Sequence, residues 1–281
     1  MIVLTGATGT VGSQVAEQLS KAGKKFRVIA RNPDKAKKDP NIEVVKATYD
    51  DKPALDSALK GATEVFLLTN SMPESVQWEK NIIDAAKKNG AKHIVKLSVP
   101  SADKNSPVKI STFHAQIEEH LKASGIPWTL LAPGYFMTNM LGSASTIKKD
   151  GAFYGAAKNG KFAMIDPRDI AAVAVKTLTT SGHAGKNYVL TGPEAMSFSD
   201  IAAKLSKYLG KPVKYADLAP EQFKSGLTSA GLAEWYANDF VTMHTFASQG
   251  GFGQVTPTVS QLLGKARPFE EFLQHWGNGF R

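Results

Sequence analysis

Three glycines in the spacing G-x-x-G-x-x-G (Gly6, Gly9 and Gly12) fall between an apolar run starting at Ile2 and an amphipathic segment, Val11–Lys21. No other feature restricts the fold as strongly. A strand that turns directly into a helix through such a loop is the opening move of a parallel β-α-β sheet. Gly6 permits the tight turn off the strand, and Gly12 lets the helix pack closely against it. Gly9 removes a side chain where backbone N–H groups must approach a ligand. The helix N-terminus then points free N–H groups and the positive end of its dipole at an anion. With Thr8, Thr10 and Val11, the glycines are expected to cradle the pyrophosphate of a dinucleotide.

The rest of the first half keeps the same rhythm. Ile2–Leu4, Phe26–Ala30, Val44–Ala47, Val65–Thr69, His93–Leu97 and Trp128–Ala132 read as strands, almost continuously apolar, as strands covered on both faces must be. Val11–Lys21, Pro53–Leu59, Ser75–Lys88 and Thr112–Ala123 carry helical periodicity, and Gly23, Gly61, Gly90 and Gly125 follow them where left-handed caps are wanted. The pattern predicts an α/β fold: a Rossmann-type, doubly wound parallel sheet occupying about residues 1–150. Beyond Gly134 the rhythm loosens. Phe162–Ile165 reads as a strand, about 168–179 as a helix, Tyr188–Leu190 as a strand rejoining the sheet, and Ser197–Tyr208 as a capped helix. Val213–Ala216 reads as a strand, Pro220–Asp239 as one helix weakened by Gly226 and Gly231, and Phe269–Trp276 as the last helix. Residues 151–281 are therefore expected to form mainly a smaller α/β lobe over the sheet's carboxyl edge, with about 160–191 returning to the sheet. Trp235, Tyr236 and Phe240, at helical spacing, are expected in its core.

Composition narrows the function classes. The chain has 281 residues and no cysteine, which excludes disulfides, thiolate catalysis and cysteine-ligated metals; no metal site is expected. No run approaches the ~18 apolar residues of a membrane span, and a core strand beginning at Ile2 leaves no targeting segment, so a cytoplasmic location is expected. The net charge of +9 comes from lysines scattered over helix ends and turns, the pattern of solvated faces. That argues against a nucleic-acid footprint, which needs the charge gathered on one face. The oligomeric state, monomer or dimer, stays open.

The end of the second strand bears on cofactor choice. A site for NAD places an acid about twenty residues past the loop; here that place holds Arg31, with Lys35 in the next turn. A guanidinium pairs with a 2′-phosphate in bidentate fashion where an acid would repel it. NADPH is therefore expected over NADH. Further strand ends should line the same crevice: Tyr49 and Asp50 toward the adenine, and Thr69, Asn70 and Ser71 toward the nicotinamide ribose.

With these residues in place, the chain resembles the NmrA-like family of atypical short-chain dehydrogenases/reductases. The resemblance rests on Thr5-Gly-Ala-Thr-Gly-Thr-Val-Gly12, Val28-Ile-Ala-Arg-Asn-Pro33, Ala91-Lys-His-Ile-Val-Lys-Leu-Ser98, Ile126-Pro-Trp-Thr-Leu-Leu-Ala-Pro-Gly-Tyr-Phe136 and Ile165-Asp-Pro-Arg-Asp-Ile-Ala171. It implies an NADPH-dependent reductase passing hydride to a quinone or similar conjugated aromatic acceptor, in the manner of bacterial quinone oxidoreductases and triphenylmethane reductases. It also keeps open a non-catalytic NADP(H)-sensing regulator. Short-chain dehydrogenases/reductases as a class use a serine followed by Tyr-x-x-x-Lys. Ser98 matches the serine place, but the pair is His114 and Glu118, which puts the ordinary tyrosine mechanism in doubt. His114 is expected to orient the acceptor or to shuttle a proton, since a histidine titrates near neutrality. Ser98, Pro133 and Tyr135 complete the implied cofactor contacts. Tyr135, Phe136 and Met137 are expected to close on the acceptor's flat ring.

Overall fold

The computed structural model describes residues 1–281. Its first part runs β1 (Ile2–Leu4), α1 (Thr10–Lys21), β2 (Phe26–Ala30), β3 (Ile42–Lys46), α2 (Lys52–Leu59), β4 (Glu64–Leu67), α3 (Ser75–Lys88), β5 (His93–Leu97), α4 (Lys109–Ala123) and β6 (Trp128–Pro133). There follow a 3₁₀ turn, Met137–Ser143, then α5 (Ala144–Asp150), β7 (Ala152–Gly155), β8 (Lys161–Phe162), α6 (Pro167–Thr179) and β9 (Lys186–Leu190). The remainder is β10 (Met196–Ser197), α7 (Phe198–Leu209), β11 (Lys214–Asp217), α8 (Pro220–Ser229), α9 (Glu234–Ser248), α10 (Thr258–Leu263) and α11 (Phe269–Trp276).

The chain divides into two compact units. The first comprises residues 1–105, 110–133 and 167–189. It is built on a seven-stranded sheet in the order β3-β2-β1-β4-β5-β6-β9. From β3 to β6 each strand pairs parallel with its neighbours. The central strands are mainly apolar because helices shield both faces: Val3, Leu4, Val65, Phe66, Leu67, Ile94 and Val95 are all fully buried. The strand order reverses at β1 and β4, and at the carboxyl ends around such a switch point a crevice opens for ligands. The expected glycine caps hold: Gly23, Gly61, Gly90 and Gly125 all have positive φ. α6 returns to this unit and packs beside α1, Gln18 Nε2 donating to the Arg168 carbonyl at 3.1 Å.

The second unit comprises residues 106–109, 134–166 and 190–281. The chain thus leaves the first unit at Pro133, earlier than the boundary near residue 150 suggested by the sequence, and only 167–189 returns. The reason is packing. Met137, Met140 and Ile147 are buried with Phe153, Phe162, Phe198 and Phe269 in the second unit's own core.

Three further expectations need correction. The segment Phe162–Ile165 is a strand only over Lys161–Phe162, paired antiparallel with Met196–Ser197, while Ile165 makes an isolated bridge to Phe136. The single helix Pro220–Asp239 is two, because Gly231 adopts φ +90° and ends α8, and α9 then runs on to Ser248. Trp235, Tyr236 and Phe240 are half-buried, not core, because Ala237, Asp239, His244 and Ala247 take the inward positions of α9.

Candidate active site

The phosphate loop separates fold from ligand cleanly. Gly6 has φ +68°, and a Cβ there would lie 2.7 Å from the Leu68 carbonyl oxygen. A Cβ on Gly12 would lie 2.1 Å from the Gly6 oxygen. Both positions are dictated by the turn itself. Gly9 differs: its φ is −90°, and a Cβ would meet only the Gly6 oxygen, at 3.4 Å. The fold barely requires a glycine there, so the bare backbone is explained by something that must come close. Gly9 is also the N-cap of α1, which has no side-chain cap and no acid in its first turn. A 12-residue helix beginning this way leaves its N–H groups and positive dipole end for an anion. Thr8 and Thr10 are exposed beside it, and Val11 is buried, anchoring the helix.

Around the loop, the predicted contacts sort into two kinds. Arg31 stands exposed at the end of β2, in no ion pair with the chain, and Lys35 is exposed on the following 3₁₀ turn, which the Asn32 side chain caps. Asp50, Asn70 and Ser71 are likewise exposed. Tyr49 is buried and braces the loop from behind: the Gly6 N–H donates to its phenol oxygen at 3.2 Å, and Trp78 meets its ring edge-on. Burial pushes the Tyr49 phenol up from its ordinary range. Thr69 is buried too, and its hydroxyl donates to Glu79 Oε1 at 2.9 Å.

That bond leads to the most distinctive chemistry of the first unit. Lys96, in the middle of β5, is fully buried and pairs with Glu79 Oε2 of α3 at 2.6 Å. Its ammonium also donates to the Leu97 carbonyl at 3.0 Å and to His114 Nδ1 of α4 at 3.2 Å. Three N–H donors thus meet three acceptors, and the ammonium is saturated. An ammonium cannot accept, so Nδ1 must be the unprotonated nitrogen and the His114 proton sits on Nε2. Burial, then the Lys96 charge, hold the His114 imidazole well below its ordinary pKa. This shifts the reading that His114 titrates near neutrality: burial and the Lys96 charge move its titration well below that range.

The Glu118 position, where the wider class has lysine, does a different job. Ser98 Oγ donates to Glu118 Oε1 at 2.5 Å, and Lys122 holds Oε2 at 2.9 Å. The cation next to His114 comes instead from the neighbouring strand, as Lys96. Lys96 and Glu79 escaped the sequence reading, although a signal existed. A lysine inside the apolar run His93–Leu97, on a strand covered on both faces, has to find a buried partner.

In the second unit, Tyr135 is part-buried with its ring 4.9 Å from Phe162, and burial pushes its phenol far up. Phe136 is part-buried. Met137 is fully buried in the core of that unit, so its side chain offers no surface to an acceptor, contrary to expectation. Pro133, closing β6, is buried as well.

The model of the NmrA-like family matches residues 1–273. An NAD(P)H azoreductase from Xenophilus azovorans is 36% identical over 277 residues, covering 98% of this chain and 97% of that protein. Among solved structures, the NADPH-dependent quinone oxidoreductase of Escherichia coli in complex with NADPH is 35% identical, with a TM-score of 0.89 over 99% of this chain and 100% of that one. The Citrobacter triphenylmethane reductase complexed with NADP(H) is 25% identical, with a TM-score of 0.88 over 98% of this chain and 99% of that one.

Proposed function

The chain belongs to the NmrA-like family, and from that premise we propose that it is an NADPH-dependent reductase passing a hydride to a quinone or similar conjugated aromatic acceptor. The observation that carries the cofactor is the loop. It is an uncapped helix N-terminus behind a glycine that packing does not demand, with an exposed, unpaired arginine at the end of the next strand. The residues fit a dinucleotide. Gly6, Thr8, Gly9, Thr10, Val11 and Gly12 would hold the pyrophosphate, and Arg31 with Lys35 the 2′-phosphate. Asp50, Asn70 and Ser71 are available to the adenosine and ribose hydroxyls. Tyr49 shapes the loop and so acts on the cofactor through Gly6.

When bound, the nicotinamide supplies a hydride. The protein's share is orientation, exclusion of water and management of one proton. A conjugated acceptor spreads the charge it receives and so needs a weaker acid than a simple ketone. A neutral His114 that presents Nε2–H suits that task. Ser98, held by Glu118, lies at the carboxyl end of β5 and would meet the cofactor's reactive end, with Pro133 at the end of β6 completing the contacts. Tyr135 and Phe136 are the aromatic side chains proposed for the acceptor.

No helix is long and apolar enough to cross a membrane; we assign the protein to the cytoplasm, with a small molecule as its partner. The reading is tested by following NADPH absorbance with a panel of quinones, azo dyes and triphenylmethane dyes. Acceptor-dependent oxidation is expected. Cofactor binding without turnover on the whole panel would make the chain a dinucleotide sensor instead. Arg31→Ala should raise the Kd for NADPH about tenfold or more and leave NADH nearly unchanged, as loss of a charge-assisted bidentate contact implies. Equal losses for both cofactors would remove Arg31 from the 2′-phosphate.

A further inference from the structure

We propose that Lys96, clamped by Glu79, is the positioning residue that drives protonation of the reduced acceptor through His114. The proposal rests on the reductase reading above and goes beyond it, since it assigns the proton's source. The geometry is a line of three groups from three elements. Glu79 of α3 fixes Lys96 of β5 at 2.6 Å, and Lys96 meets His114 Nδ1 of α4 at 3.2 Å. Thr69 secures the far carboxylate oxygen of Glu79 at 2.9 Å. Lys96 has no solvent exposure, and His114 retains 9%. Of the two imidazole nitrogens, only Nε2 is left to meet a ligand.

The step balances. Hydride addition leaves a quinone as its hydroquinone monoanion, with two electrons gained and one proton owed. The Nε2–H bond breaks and its proton goes to the acceptor oxygen. At the same time Nδ1 takes a proton from the Lys96 ammonium, so the imidazole never becomes an anion or a cation. It ends as the opposite tautomer, beside a neutral Lys96 amine. After product leaves, a water proton enters at Nε2 and the Nδ1 proton returns to Lys96, restoring the start. The clamp matters because it keeps the proton on the lysine side of Nδ1 until an oxyanion appears at Nε2.

The groups facing His114 are few: Lys96 from β5, and behind it Glu79 from α3 with the Thr69 hydroxyl. Glu118, one turn on along α4, is engaged by Ser98 and Lys122. The arrangement therefore predicts that the wild-type quinone rate is flat from about pH 8 to pH 5, since the relay proton is held inside.

A cationic triphenylmethane dye supplies the control, because hydride addition alone yields its neutral product and no proton is owed. Lys96→Met by itself would strand the Glu79 carboxylate, so the variant for the test is Lys96→Met/Glu79→Gln, checked for cofactor binding. With 1,4-benzoquinone its kcat should fall by about a hundredfold, within the range of general acid catalysis. With malachite green it should fall at least tenfold less. Its residual quinone rate should rise as pH falls, because solvent now delivers the proton. Equal losses on the two acceptors would reduce the pair to a structural role and overturn the proposal, as would an unchanged quinone rate. Should wild type reduce quinone but not the dye, the pH profile alone decides: a variant profile as flat as wild type overturns it. Wild-type protein that turns over neither acceptor defeats the reductase reading itself, a separate result.

Discussion

His114 in the first unit and His244 in the second are both buried, burial is the main cause that lowers the pKa of each, and they differ in what surrounds the ring. His114 faces a cation. The saturated Lys96 ammonium occupies its Nδ1 and dictates the tautomer. His244 faces rings: Phe223 stacks on it at 4.6 Å, and Phe198, Phe162, Tyr135 and Phe240 surround it within 6.5 Å. There the Ala156 N–H donates to Nδ1 at 3.1 Å, and Nε2 is left buried with no hydrogen-bond partner. Burial depresses its pKa to about 4. At His114 a cation adds to the effect of burial and leaves one ring nitrogen free; at His244 the neighbours are rings, and the Asp217 carboxylate opposes the burial. The first arrangement specifies a direction for a proton. The second only stores a liability that acid exposes.

The comparison is most severely tested by cutting the polar chain. Lys96→Met should cost about 3–5 kcal/mol in urea unfolding, because it leaves the Glu79 carboxylate buried and unpaired. Adding Glu79→Gln should restore much of that. A loss below about 1 kcal/mol would mean that water reaches Glu79 and that the centre of the first unit is not sealed.

Acid tests the other histidine. The unfolded chain protonates His244 near pH 6.5, while the fold refuses the proton until about 4. The unfolded state therefore binds more protons in this window, and stability falls as pH drops from 6.5 to 4. At about 1.4 kcal/mol per pKa unit the loss reaches roughly 3 kcal/mol. His114, depressed in the same direction, adds to it. Carboxylates held low, such as Asp200 and Glu270, act in a more acid range, so the histidine limb is separable. His244→Phe should flatten the slope between pH 6.5 and 4, at a neutral-pH cost of about 1–3 kcal/mol for the stranded Ala156 N–H. An unchanged slope would show that His244 is not what makes the second unit acid-sensitive.

The mildest change sharpens the contrast. Thr69→Val removes one bond to the Glu79 carboxylate and should cost about 1–2 kcal/mol in the same unfolding assay. The acid limb should not move, since Glu79 stays paired with Lys96. If the limb shifts with Thr69, the two centres are not independent.

Strand and helix periodicity made most of the first unit legible, because each buried strand and amphipathic helix carries its burial pattern in consecutive residues. The second unit was harder to read. Its strands β7, β8 and β10 are two to four residues long, too short for a period to register, and α5 and α10 lie among turns. The candidate site divided along the same line. Gly6, Gly9, Gly12 and Arg31 sit in local motifs that can be read in consecutive residues; the Glu79–Lys96 pair, 17 residues apart, cannot. Met137 looked like a wall for a ligand because its neighbours are aromatic, yet its side chain belongs to a core assembled from distant segments.

The sequence by itself determined the parallel sheet, the turn at Gly6 and Gly12 and the exposed arginine after β2, since each follows from backbone sterics or local spacing. Only the tertiary structure decided the charge state of the histidines. A side chain's proton depends on what lies within a few ångströms, and for His114 that neighbour is a lysine brought from another strand.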